Sequence, residues 1–141
     1  MPRVPTFVPL LLLLATLLLA APVAQSASPN IVISQVYAGG GNAGATFTHD
    51  FVELFNRGSS AVDVSGWTIQ YASASGTSWQ ATPLSGTIQP GRYYLVQLAS
   101  AAAVGAPLPA PDATGTTYLA NSGGKVAVAR DATLLACGGA P

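Results

Sequence analysis

The sequence predicts an all-β sandwich or barrel, and three observations carry that reading. Short β-branched and aromatic runs recur along the chain, divided by glycine-containing turns. No stretch of helical length combines caps with a 3.6-residue apolar repeat. Finally, the run DFVELFN at residues 50–56, followed ten residues later by Gly66-Trp67, reads as a buried strand, a turn and a second strand opened by a tryptophan.

The elements are justified in chain order. Residues 30–37 (NIVISQVY) are rich in β-branched and aromatic side chains and stop at the GGGN of residues 39–42, which must be a loop. In residues 50–56 the two-residue period puts Val52 and Leu54 on one face and Phe51, Glu53 and Phe55 on the other. An unpaired Glu53 is costly to bury, so Val52 and Leu54 are the expected core. Phe51 and Phe55 are then expected to flank Glu53 on a partly exposed face. Residues 57–60 (RGSS) have turn chemistry, with Asn56 placed to bond its own backbone.

Val62 and Val64 lead to a strand over residues 67–72, in which Trp67, Ile69 and Tyr71 share a face, and Trp67 is expected in the core. Gly76 marks a turn before Trp79, and residues 84–88 run into the Gln89-Pro90-Gly91 turn. Residues 92–98 (RYYLVQL) form the clearest strand. The Ala/Pro-rich residues 99–111 are expected to be an irregular excursion, mobile or only locally helical. Further strands are expected at residues 116–119 and 125–130, with a hairpin turn at residues 131–133 leading into Leu134 and Leu135.

The N-terminus is set apart from this domain. Arg3 provides a short positive region, residues 10–21 are apolar except for Thr16, and small residues at 22–28 allow cleavage after Ala24, Ser26 or Ala27. This is the three-part pattern of a secretory signal peptide over residues 1–27. A membrane anchor is the alternative. Its apolar core is shorter than the roughly 20 residues a spanning helix needs, and no basic stop-transfer cluster follows. Either way the domain, residues 28–141, is expected outside the membrane: secreted, extracellular or cell-surface.

Half of the chain is hydrophobic, but the leader inflates that figure. The rest is poor in charge. Arg57, Arg92, Lys125 and Arg130 stand against Asp50, Glu53, Asp63, Asp112 and Asp131, leaving a net charge near minus one. No basic face is evident, which argues against autonomous nucleic-acid binding, since phosphate neutralisation supplies most of that affinity. The one cysteine, Cys137, suggests a partner elsewhere, a free thiol or an intermolecular bridge. The simplest reading is that the chain is cut short and the partner lay downstream, so that the sandwich lacks its last strand.

The six landmarks ISQVY (33–37), GGGN with GAT (39–42 and 44–46), DFVELFN, Gly66-Trp67, Gln89-Pro90-Gly91 and GKVAV (124–128) together resemble a bacterial lamin-tail domain over residues 31–137. The resemblance implies an immunoglobulin-like β-sandwich. It also implies an exported, non-catalytic interaction or tethering module, of the kind found beside the catalytic domains of extracellular nucleases. Relatives of that kind continue past the Cys137 region with another strand and a second cysteine. No catalytic residue carries over.

Other chemistry is poorly supported. His49, Asp50 and Glu53 are the only cluster resembling a metal or acid/base site, but strand parity separates Asp50 from both neighbours. Asp50 and Glu53 are better read as pairing with Arg57 or satisfying loop amides. The glycines at 39–41 and 44 lack the Lys-Ser/Thr and the helix of a phosphate loop. With a single histidine, a hydrolase triad has one base to choose from. The aromatics Trp67, Trp79, Tyr71, Tyr93 and Tyr94 raise the idea of a sugar-stacking platform, with Trp79 as its contact residue. The expectation is therefore a non-enzyme without catalytic, cofactor-binding or metal-ligating residues. It would contact an unknown protein or envelope component through Asn42, Trp79 and the loops at 39–49 and 73–82. The alternatives are the accessory domain of an extracellular nuclease, and a carbohydrate-binding sandwich.

Overall fold

Two β-sheets face each other across one core. The computed structural model describes Met1 and residues 30–139. Met1 apart, the expected leader lies outside the described residues.

The strands are β1 (Ile31–Tyr37), β2 (Phe51–Asn56), β3 (Val62–Asp63), β4 (Thr68–Ser73), β5 (Gln80–Pro83), β6 (Thr87–Ile88), β7 (Tyr93–Gln97), β8 (Ala113–Thr114) and β9 (Gly124–Ala129). One sheet has the order β1-β2-β7-β8 and the other β5-β4-β9, while β3 and β6 form a small pair between them in sequence. All pairings between these strands are antiparallel except β7 with β8, and an isolated parallel bridge joins Phe47 to Ala106. Among the described residues every regular element is a strand, and the all-β immunoglobulin-like architecture holds.

The core follows from alternation. Ile31, Val52, Leu54, Tyr94 and Val96 project from the first sheet, Ile69 and Tyr71 from the second, and Val64, Leu84, Ile88, Leu98 and Leu119 close the space between. Val52 and Leu54 are wholly buried. Each such side chain contributes about 1.5–3 kcal/mol relative to exposure. Asn56 ties the strand pairs together: its Nδ2 donates to the carbonyls of Ser60 (2.9 Å) and Ile88 (2.8 Å), and its Oδ1 accepts from the Gly58 amide (2.9 Å). Gly66, with φ of +81°, sits in a turn closed by the Trp67 amide on the Val64 carbonyl at 3.0 Å. That conformation at the third turn position is why a glycine precedes the tryptophan.

Several expectations are corrected. Phe51 is buried, because Phe47 folds back from the preceding loop; the rings of Tyr37, Phe47 and Phe51 pack at 5.4–5.7 Å. Phe55 remains half-buried beside Tyr93. The 99–111 segment is neither helical nor loose. Ala101 N–H donates to the Gly40 carbonyl (3.0 Å), Ala106 N–H to that of Thr46 (2.8 Å), and Thr48 N–H to that of Ala106 (2.9 Å).

Residues 116–119 form no strand, although Thr117 and Leu119 are buried and Tyr118 is exposed as alternation would have it. The pairing residues are Ala113 and Thr114 instead. A strand that the sequence did not suggest, β5, lies at a sheet edge and ends at Pro83. Proline is tolerated there because an edge strand does not need every N–H.

Leu134 and Leu135 are not the second arm of a hairpin. Residues 131–138 run as a strap over the outer side of the β5-β4-β9 sheet. Thr68 Oγ1 donates to the Asp131 carbonyl (2.8 Å), and Gln70 Nε2 to the Thr133 carbonyl (2.8 Å). Gln70 Oε1 accepts from the Leu135 amide at 2.9 Å. The strap explains why β4 is buried on both faces, with Gln70 fully enclosed.

Candidate functional site

The cluster that most resembles chemistry in the sequence has a structural task. Asp50 is 2 % exposed, and its two carboxylate oxygens accept from the backbone amides of Gly40 and Leu119, each at 2.7 Å. A buried carboxylate must be hydrogen-bonded to be tolerated, and these two amides satisfy it. Glu53 lies on the opposite face of the strand, where Ser34 Oγ donates to its Oε1 at 2.7 Å. Ser34 is free to do so because β1 bulges between Ile33 and Gln35. Asp50 and Glu53 therefore do not converge. Among the described residues no three His, Cys, Asp or Glu side chains gather as a metal site would require.

The glycine-rich loop is shaped by close approach. A Cβ on Gly40 would lie 2.1 Å from the His49 carbonyl carbon, so only glycine lets the backbone pass there and donate to Asp50. Asn42 is half-buried, and its carbonyl accepts from the Ala45 amide at 2.9 Å. The loop is further held by Tyr37 Oη, which accepts from the amides of Thr46 (2.9 Å) and Phe47 (3.2 Å).

Trp79, expected as an exposed contact residue, is instead buried. It is 8 % exposed, and its indole N–H donates to the Cys137 carbonyl at 3.1 Å, beneath the strap. Its polar sequence neighbours gave no sign of this, because the covering segment lies 58 positions away. Trp67 packs against the core from its margin, half-buried, with the Arg130 guanidinium 5.2 Å from the ring centre. Cys137 has its side chain exposed.

The aromatics divide by strand parity. Tyr71 and Tyr94 point inward, and their hydroxyls are engaged by the Ala120 amide (3.0 Å) and the Ser85 carbonyl (2.8 Å) respectively. Tyr93 points outward and is 61 % exposed, with the Phe55 ring 4.7 Å away. A cleft of about 400 Å³ adjoins it, lined also by Arg92, Asp112, Gln89, Ser85 and Gly86. Leu95 N–H donates to Asp112 Oδ2 at 2.8 Å, which fixes that carboxylate at the cleft. A second, smaller hollow of about 220 Å³ opens between the edge strands β1 and β9, with Val36, Tyr71, Leu119 and Val126 in its lining. The sequence had named Tyr93 without separating it from Tyr94; the alternation of Tyr93, Leu95 and Gln97 against Tyr94, Val96 and Leu98 was the available signal.

No curated protein matches the chain. The family model described as Lamin Tail Domain matches residues 24–139, which takes in every strand and the strap. A match of that extent, on a sandwich of this kind, settles the matter: the chain belongs to the lamin tail domain family, whose immunoglobulin-like fold is non-catalytic.

Proposed function

We propose that the protein is an exported, non-catalytic interaction module that tethers or contacts a component outside the cell. The observation that carries this reading is the full engagement of Asp50. The one deeply buried carboxylate among the described residues joins two loops through backbone amides and so serves architecture. What the fold leaves over for recognition is surface, chiefly the exposed Tyr93 and the cleft that it lines together with Arg92, Tyr94 and Asp112. Export is supported by the sequence of residues 1–28 alone.

Expression in a bacterial host with fractionation and N-terminal sequencing tests the first half. A product outside the cytoplasm beginning at Gln25, Ala27 or Ser28 is expected; a cytoplasmic product retaining Met1 would overturn export. Incubating the purified protein with duplex DNA and magnesium tests the second half. Intact DNA is expected, and strand scission abolished by a point substitution in this chain would refute the non-catalytic reading.

A further inference from the structure

The geometry points to the Tyr93 cleft as a binding site for a neutral carbohydrate. β7 lies between β2 and β8. Phe55 on β2 therefore backs the Tyr93 ring from one side, while Asp112, just before β8, lies on the other. Tyr93, Tyr94 and Asp112 all line the cleft, and of the two rings Tyr93 is the exposed one, so it supplies the aromatic surface a ligand can stack on. Phe55 restrains that ring at 4.7 Å, which lowers the entropy lost when a ligand stacks on it.

The remaining lining selects the ligand class. A sugar ring presents an apolar C–H face and a rim of hydroxyls that both donate and accept. Tyr93 offers an aromatic surface for the first. Asp112 offers an oriented acceptor, Arg92 a fixed donor fork, and Gln89 an amide capable of both roles. The charges argue for neutrality in the ligand: one cation and one anion border the cleft, so phosphate or carboxylate groups gain from Arg92 what they lose to Asp112. The volume of about 400 Å³ falls within the usual range for small-molecule sites. An apolar peptide would offer nothing to the Arg92 guanidinium or to the acceptor capacity that Asp112 has left beyond its Leu95 bond.

This inference rests on the contact-module reading and names its ligand. The test is calorimetric titration of the purified protein with neutral hexasaccharides of glucose in β-1,4 and α-1,4 linkage, of mannose, of xylose and of N-acetylglucosamine. At least one is expected to bind. Tyr93→Ala should weaken that binding about tenfold, Tyr93→Phe should retain it, and Asp112→Asn should weaken it while keeping its Leu95 bond. Because Tyr93 is exposed, thermal unfolding of Tyr93→Ala should match the wild type, which separates lost binding from lost folding. Failure of all five sugars to bind, or binding indifferent to Tyr93→Ala, would overturn the assignment. Protein contact through Tyr93 without sugar binding would also overturn it, in favour of a peptide surface, and would leave the contact-module reading standing. Release of reducing ends from a bound sugar would instead refute the non-catalytic reading.

Discussion

Asp50 and Leu119 stand 69 positions apart and are joined by a 2.7 Å hydrogen bond from the Leu119 amide to Asp50 Oδ2. With the Gly40 amide on Oδ1, one side chain fixes the loop after β1 and the irregular segment before β9. Replacing Asp50 by Asn leaves one buried N–H facing another donor and should cost about 1–3 kcal/mol. Asp50→Ala strands both amides and should cost more, about 2–6 kcal/mol. Urea unfolding monitored by tryptophan fluorescence reads both; an Asp50→Ala midpoint equal to the wild type would contradict the role assigned here.

Two glycines in the same loop separate crowding from backbone conformation. Gly40 has no positive φ, but a Cβ there meets the His49 and Asp50 backbone at 2.1–2.3 Å. Gly44 has φ of +79° and open space around its Cβ position. Gly44→Ala should cost about 1–2 kcal/mol from the left-handed backbone alone. Gly40→Ala should cost more, because no far end of a side chain can move aside. Thermal melts of the two variants give the order, and the reverse order would refute it.

Trp79, which its polar sequence neighbours suggest as a contact residue, is buried, whereas Tyr93 is exposed. Trp79→Ala removes a buried ring and the donor to the Cys137 carbonyl, and should destabilise by about 3–5 kcal/mol. Tyr93→Ala should stay within about 0.5 kcal/mol of the wild type. Denaturant midpoints measured on both variants decide the matter.

Asp63 supplies a pH effect of known sign. The Ser65 hydroxyl, and then the Ser65 amide, hold its carboxyl below the usual 3.8. A folded value below the unfolded one stabilises the fold above the unfolded pKa, and that contribution is lost as pH falls through the folded pKa. Nuclear magnetic resonance titration should place the Asp63 midpoint below 3.8, and Ser65→Ala should move it upward. Coincident midpoints in the two proteins would show that the Ser65 hydroxyl is not the cause.

How much of this was legible in the sequence depended on distance along the chain. The alternation of Val52 and Leu54 and the glycine before Trp67 act over a few residues, so pattern alone revealed the core strand and the turn. The strand pairing of Tyr93 was within reach by the same parity. The burial of Trp79 and Gln70 was not, because both are covered by the strap from the far end of the chain. The docking of residues 99–111 was equally silent, since backbone amides and carbonyls make it and leave no side-chain signature. Strand alternation places Phe51 on a partly exposed face for a related reason: the ring that covers it, Phe47, arrives from a loop.

The strap is gripped in a particular way. Thr68, Gln70, Trp79 and Lys125 all reach for its main chain, at the Asp131, Thr133, Cys137 and Gly138 carbonyls and the Leu135 amide. Apart from Asp131, whose Oδ1 accepts from the Thr133 amide at 2.8 Å, and Gly138, whose φ is +83°, the strap's side chains take no part in this anchoring. Leu134 and Cys137 can drift in sequence, or bear a chemical label or an attached group on the Cys137 thiol, while the segment keeps its grip. Proline at position 135 is the one replacement that deletes an anchoring atom, since it removes the N–H that Gln70 accepts. The strap is thus a fixture most of whose decoration is open to change.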